Sequence, residues 1–128
     1  MVRIGDDEAT VGDLRRAVAA FVAARDWEQF HTPQHLSTAI ATEAAELMEQ
    51  FQWLTNEEAA AAMGSEEARA AVRDELADVL IYGLSLANAL GLSVSGALLS
   101  KLERNEERFP AEAWRGRTHP VDERDGAG

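Results

Sequence analysis

The stretch from Ser65 to Gly91 constrains the fold more than any other part of the chain. It opens on a serine followed by two glutamates, the composition of a helix N-terminus, and closes on a glycine that can take the left-handed turn ending a helix. Successive helical residues turn by roughly 100°, so Leu76, Val79, Leu80, Gly83, Leu86, Ala87 and Leu90 form one stripe. Ile81 and Leu84 fall opposite it. A helix that is apolar on two faces is buried on two faces. In a chain of 128 residues, one face is expected against neighbouring helices and the other against a second subunit.

This helix also carries Glu75-x-x-Asp78 beside its stripe, and a second acidic pair, Glu43-x-x-Glu46, borders the stripe formed by Leu36, Ile40, Ala44, Leu47 and Phe51. Residues three apart project from one helix face, so each pair offers two converging carboxylates. Asp78 stands inside the run Leu76-Ala-Asp-Val-Leu-Ile-Tyr82, where solvent is expected to be scarce. An unpaired carboxylate there takes up a proton or needs a cation. Four carboxylates without sulfur or histidine suit magnesium, or manganese, better than zinc. The plainer alternative is a solvated acidic face. On the metal reading, Glu43, Glu46, Glu75 and Asp78 are the ligands. Four carboxylates can hold one or two cations and leave one group to orient or deprotonate water, a role for which Glu46 is the candidate.

The rest of the chain reads as helices between punctuation. Thr10-Val-Gly-Asp13 has the outline of a capping box, starting a helix that runs to about Arg25 with Leu14, Val18, Phe21 and Val22 as its apolar face. Thr32-Pro33 places a cap before a first-turn proline, starting a second helix that runs to about Trp53. Thr55 opens a short alanine-rich piece closed by Gly64. Ser93 begins the last helix, which Phe109-Pro110 ends. Residues 111–128 lack apolar periodicity and read as a tail behind a domain spanning 1–110. No strand pattern, repeat or glycine-rich phosphate loop occurs. The expected fold is all-α, an antiparallel bundle of about four longer helices completed by oligomerisation.

Composition narrows the function. The apolar fraction of 46% fits a globular domain, and the absence of cysteine removes disulfide and thiolate chemistry. A net charge of −11 argues against a nucleic-acid polymer as partner. No apolar run reaches the roughly 20 residues of a membrane span, and the polar start is no signal peptide, so no membrane partner and a cytoplasmic location are expected. On the last helix Lys101, Asn105 and Arg108 share one face, and Lys101 is the only lysine of the chain. His31 and His35 are four apart, but Pro33 sets His31 before the helix, which argues against a zinc pair. A di-iron bundle would want a Glu-x-x-His pair on each of two helices, and neither acidic pair has that histidine.

The segments Arg25-Asp-Trp-Glu-Gln-Phe-His-Thr-Pro33, Glu43-Ala-Ala-Glu-Leu47, Phe51-Gln-Trp53, Glu75-Leu-Ala-Asp-Val-Leu-Ile-Tyr82 and Leu99-Ser-Lys-Leu-Glu-Arg-Asn105 together resemble the MazG-like nucleoside triphosphate pyrophosphohydrolases, and among them most resemble the all-α dCTP pyrophosphatases. The resemblance spans about Leu14 to Pro110. It implies magnesium-dependent hydrolysis of a nucleoside triphosphate, dCTP or a modified dCTP, to monophosphate and pyrophosphate, in a homotetramer with sites near subunit boundaries. It also implies that Glu43, Glu46, Glu75 and Asp78 hold the metal, that Lys101 and Asn105 meet the triphosphate, and that Trp27 and Trp53 enclose the base, with Phe30. Arg108, on the face of Lys101 and Asn105, either joins them or is a solvated basic residue near a helix end. His31 shapes this pocket or caps the helix. Tyr82, one turn after Asp78, either hydrogen-bonds the acidic cluster or fills the core. The chain departs from animal members at Val18, where they carry a histidine. The same chemistry on another nucleotide such as dUTP, or a non-enzymatic helical assembly module, are the competing expectations.

Overall fold

The computed structural model describes residues 4–118, and the part of the expected tail beyond Thr118 lies outside them. All regular structure among the described residues is helical. The helices are α1 (Val11–Ala23), α2 (Pro33–Glu49), α3 (Asn56–Ala62), α4 (Glu66–Leu90), α5 (Val94–Arg108) and the single turn α6 (Ala111–Trp114), with a 3-10 turn at Glu28–Phe30 before α2. The chain divides into two compact units at the Leu92–Ser93 boundary. The first unit holds α1 to α4, and the second holds α5 and α6.

The starts of α1 to α5 each follow from a local cap. Thr10 and Asp13 form a reciprocal box, with the Asp13 N–H donating to Thr10 Oγ1 at 3.0 Å and the Thr10 N–H donating to Asp13 Oδ2 at 2.9 Å. Those bonds and the Arg16 guanidinium hold the Asp13 carboxyl below its usual range, with the Thr10 backbone the largest cause. Thr55 and Glu58 repeat the device on α3, and Thr32, Ser65 and Ser93 accept from the N–H three residues on. Gly91 ends α4 at φ 65°, a left-handed conformation that a Cβ disfavours.

Helix ends differ from expectation. α2 stops at Glu49 rather than near Trp53, because the Phe51 and Gln52 N–H groups both turn back onto the Met48 carbonyl. α1 stops at Ala23, and Asp26 adopts φ 53° in the turn that follows. In the stretch expected as a tail, α6 sets Trp114 edge-on to Phe109 at 4.9 Å.

In the first unit α4 packs chiefly on α2 and secondly on α1. A reciprocal pair clamps α1 to α4: Arg15 Nε donates to Asn88 Oδ1 at 2.9 Å, and Asn88 Nδ2 donates to the Arg15 carbonyl at 3.1 Å. The inward line of α4 is rotated from the expected stripe. It follows Glu75, Val79, Tyr82 and Leu86, all half-buried, down to buried Ala87, while Leu76 and Leu80 face outward. Asp78 is likewise exposed rather than set among apolar neighbours. The cause is the acidic pair: turning Glu75 toward the carboxylates of α2 carries Leu76 and Leu80 to the outer side. Leu36, Val22 and Ala87 are the buried apolar residues among those described, and Ser85 is buried beside them.

Candidate active site

The two acidic pairs meet across the α2–α4 contact. One oxygen each from Glu43, Glu75 and Asp78 lies within 4.8 Å of the others. Glu46 joins the group, since its carboxyl interacts with both Glu43 and Glu75. Like charges this close resist full ionisation. The Glu43 carboxyl is accordingly pushed up to about 7, first by a proton shared with Glu46, then by loss of solvent, then by the neighbouring charges. Glu75 is raised too, with burial the largest cause. Oε2 of Glu43 and Oε2 of Glu75 are shielded from water and have no hydrogen-bond partner. Orphaned carboxylate oxygens converging with a third carboxylate are the donor set of a hard divalent cation, so these residues fit magnesium or manganese.

Further along α4, Tyr82 enters the wall of an open cavity of about 560 Å³, which Trp27, Phe30, His31, Thr32 and His35 also line. The aromatic wall is built by the turn before α2. Asp26 takes its left-handed conformation there, and Gln29 Nε2 donates to the Asp26 carbonyl at 2.9 Å, fixing the tight bend. Trp27 is further held edge-on to Phe21 at 5.8 Å, with the Arg25 guanidinium 3.7 Å over the Phe21 ring. Tyr82 stands one helical turn from Asp78 and His35 two turns from Glu43, so α2 and α4 both run from the carboxylates to the aromatic wall.

Trp53 is 86% exposed in the turn after α2 and does not line this cavity. Lys101 and Arg108 are exposed on α5 in the second unit, Asn105 is half-buried there, and Arg108 lies 5.0 Å over the Phe109 ring. His35, set aside in sequence as half of an unformed zinc pair, shares the cavity with His31; among the described residues no group of three metal-binding side chains includes either. Ser85 and Asn88 belong to a second cavity that the sequence did not signal.

A profile of the MazG-like family matches residues 38–119. The chain belongs to the MazG-like family. The match contains both acidic pairs together with Lys101, Asn105 and Arg108, and it begins after the Trp27 turn. This MazG-like chain is 43% identical over 109 residues to dCTP pyrophosphatase 1 of Bos taurus, covering 85% of this chain and 64% of that protein. It is 46% identical over 104 residues to dCTP pyrophosphatase 1 of Homo sapiens, covering 81% and 61%. The matched stretch thus spans less than two thirds of these curated relatives. Among solved structures, a pyrophosphatase from Archaeoglobus fulgidus superposes with a TM-score of 0.74 at 33% identity, covering 84% of this chain and 99% of that one.

Proposed function

We propose that this MazG-like chain is a divalent-metal-dependent nucleoside triphosphate pyrophosphohydrolase that converts dCTP, or a modified dCTP, to the monophosphate and pyrophosphate and so cleans the nucleotide pool of the cytoplasm. The carrying observation is the carboxylate quartet with two orphaned oxygens, on helices that also wall an aromatic cavity. The relatives named for dCTP support the choice of nucleotide.

When bound, magnesium would neutralise the charge that develops on the phosphates. Glu43, Glu75 and Asp78, with Glu46, would hold it, and Glu46, which interacts with Glu43 and Glu75, would orient a water and receive its proton. The water oxygen bonds to phosphorus at the α–β bridge as the bridging P–O bond breaks, and pyrophosphate leaves. Trp27 and Phe30 give the base stacking area, and His31 and Tyr82 close the wall beside it. By the resemblance, Lys101 and Asn105 would meet the remaining phosphate charge, with Arg108 on the same face of α5. Residues 1–110 form the catalytic domain on this reading.

The working unit is a homo-oligomer, a tetramer as the resemblance implies. Leu80 at 57%, Leu99 at 67% and Trp53 at 86% exposure are apolar surface that a second copy would cover. Assembly would also give Trp53 a place in the nucleotide site.

The test is pyrophosphate release from a panel of dNTPs and NTPs, with magnesium and with chelator. Metal-dependent release that favours dCTP is the expected result. Release from another nucleotide alone would remove the substrate assignment, and release from none would remove the enzymatic one.

A further inference from the structure

A second cavity, of about 360 Å³, shares His31 with the aromatic one and is walled by Val22, Glu28, Ser85 and Asn88. Ser85 is 3% exposed, and its Oγ is shielded from solvent without any hydrogen-bond partner. A serine or threonine inside a helix ordinarily disposes of its hydroxyl by donating to a carbonyl one turn back. Ser37, Thr38 and Thr42 on α2 all do this, at 3.0, 2.9 and 3.0 Å. Ser85 does not, and an unsatisfied buried hydroxyl in a cavity wall is costly unless something in the cavity answers it.

Asn88, three residues on, presents a fixed amide to the same space. Its two bonds to Arg15 lock the amide plane and use one N–H and one lone pair, leaving one of each. Glu28 also lines the cavity, and an ionised carboxylate can accept hydrogen bonds but not donate them. The remaining wall includes Ala19, Val22 and Ala89, whose small side chains admit a flat ring.

Stacking on Trp27 and Phe30 cannot tell bases apart, because every base has a π face. Discrimination comes from hydrogen bonds to the base edge, and a site built for them rejects an analogue that lacks the matching group. We propose that the Ser85 cavity is the base-edge subsite, in which Ser85 Oγ and the unspent N–H and lone pair of Asn88 read the ring nitrogen and exocyclic amino group of an aminopyrimidine. Glu28 sharpens the choice, since it accepts from an amino group and repels the carbonyl oxygen that uracil or thymine carries instead. The proposal rests on the nucleotide reading above and adds to it the residues that choose the base.

Two measurements separate the proposal from that reading. Binding of dCMP, dUMP and dTMP by calorimetry in chelator needs neither metal nor turnover, and kcat/KM over the dNTP panel with magnesium follows the reaction. In Ser85→Ala, dCMP affinity and kcat/KM for dCTP should both fall by about tenfold or more while the values for the keto pyrimidines hold, so the ranking narrows. The melting temperature should not fall, because an orphaned hydroxyl has been removed. Ala89→Leu adds bulk at an exposed position of the wall, where the fold tolerates it, and should weaken every pyrimidine. If turnover persists and Ser85→Ala leaves the ranking unchanged, or scales all bases equally, the cavity merely holds water and the proposal falls while the hydrolase stands. If nothing is hydrolysed but dCMP binds and Ser85→Ala weakens it selectively, the hydrolase reading falls and the base site stands. Absence of both binding and turnover overturns both.

Discussion

At Glu43 the chain holds a proton that an isolated glutamate would have lost. Its carboxyl is raised from an ordinary 4.5 to about 7 by Glu46 and by burial, so the folded chain binds this proton more tightly than the unfolded one. The resulting stability is complete below about pH 4.5 and is lost as pH rises through about 7. The metal-free chain should therefore melt at a lower temperature at pH 8 than at pH 5. Saturating magnesium should reverse that order, because cation and proton compete for the same oxygens. Calorimetric melts with chelator and with magnesium check both, and a flat profile would dissolve the cluster. Glu43→Gln should reduce the pH slope of the metal-free melt, with raised Glu75 leaving a remainder, and Glu43→Gln or Asp78→Asn should each cut pyrophosphate release. The loss should be at least the roughly 10–100-fold that outer partners of a metal site cost when removed. Circular dichroism should show the helices intact in both. Parent-like turnover in either variant would remove that residue from the ligand set.

The helix starts were legible and the helix ends less so. Thr10, Thr32, Thr55, Ser65 and Ser93 all cap as their spacing predicts, since a cap is a bond between residues two or three apart and needs no tertiary partner. The apolar period through Phe51 extended α2 on paper, yet the chain turns at Gln50, and Phe51 reaches its half-buried site from a turn instead. Gly91 is the stop whose chemistry is local. Gly91→Ala puts a Cβ in the left-handed region at about 1–2 kcal/mol, and urea unfolding should show a midpoint lowered accordingly. A smaller effect would mean that the end of α4 re-forms in another way.

For the whole molecule, the shortage of buried apolar surface is the dominant fact. Among the described residues Val22, Leu36 and Ala87 are a slight buried core, while Leu80 of α4 and Leu98, Leu99 and Leu102 of α5 stand more than half exposed. Within each unit, exposed leucines of this kind are what an interface would cover, so the proposed assembly is open to a direct test. Sedimentation at micromolar concentration should give a species larger than one chain, and Leu80→Glu or Leu102→Glu should shift it toward smaller ones. A parent that sediments as a monomer would defeat the assembly.

Helix type, the cap positions and the pairing of acidic residues at a spacing of three were determined by sequence alone, because each depends on neighbours within one or two turns. Tertiary structure decided the rotation of α4. The period placed Leu76 and Leu80 inward, but bringing Glu75 against the α2 carboxylates turned them out and left Asp78 exposed. It also decided that His35 shares a wall with His31, and that Ser85 loses solvent without gaining a partner. A serine in a helical run carries no mark of that fate. Only the approach of α1 and the 28–30 turn to α4 closes the space around it.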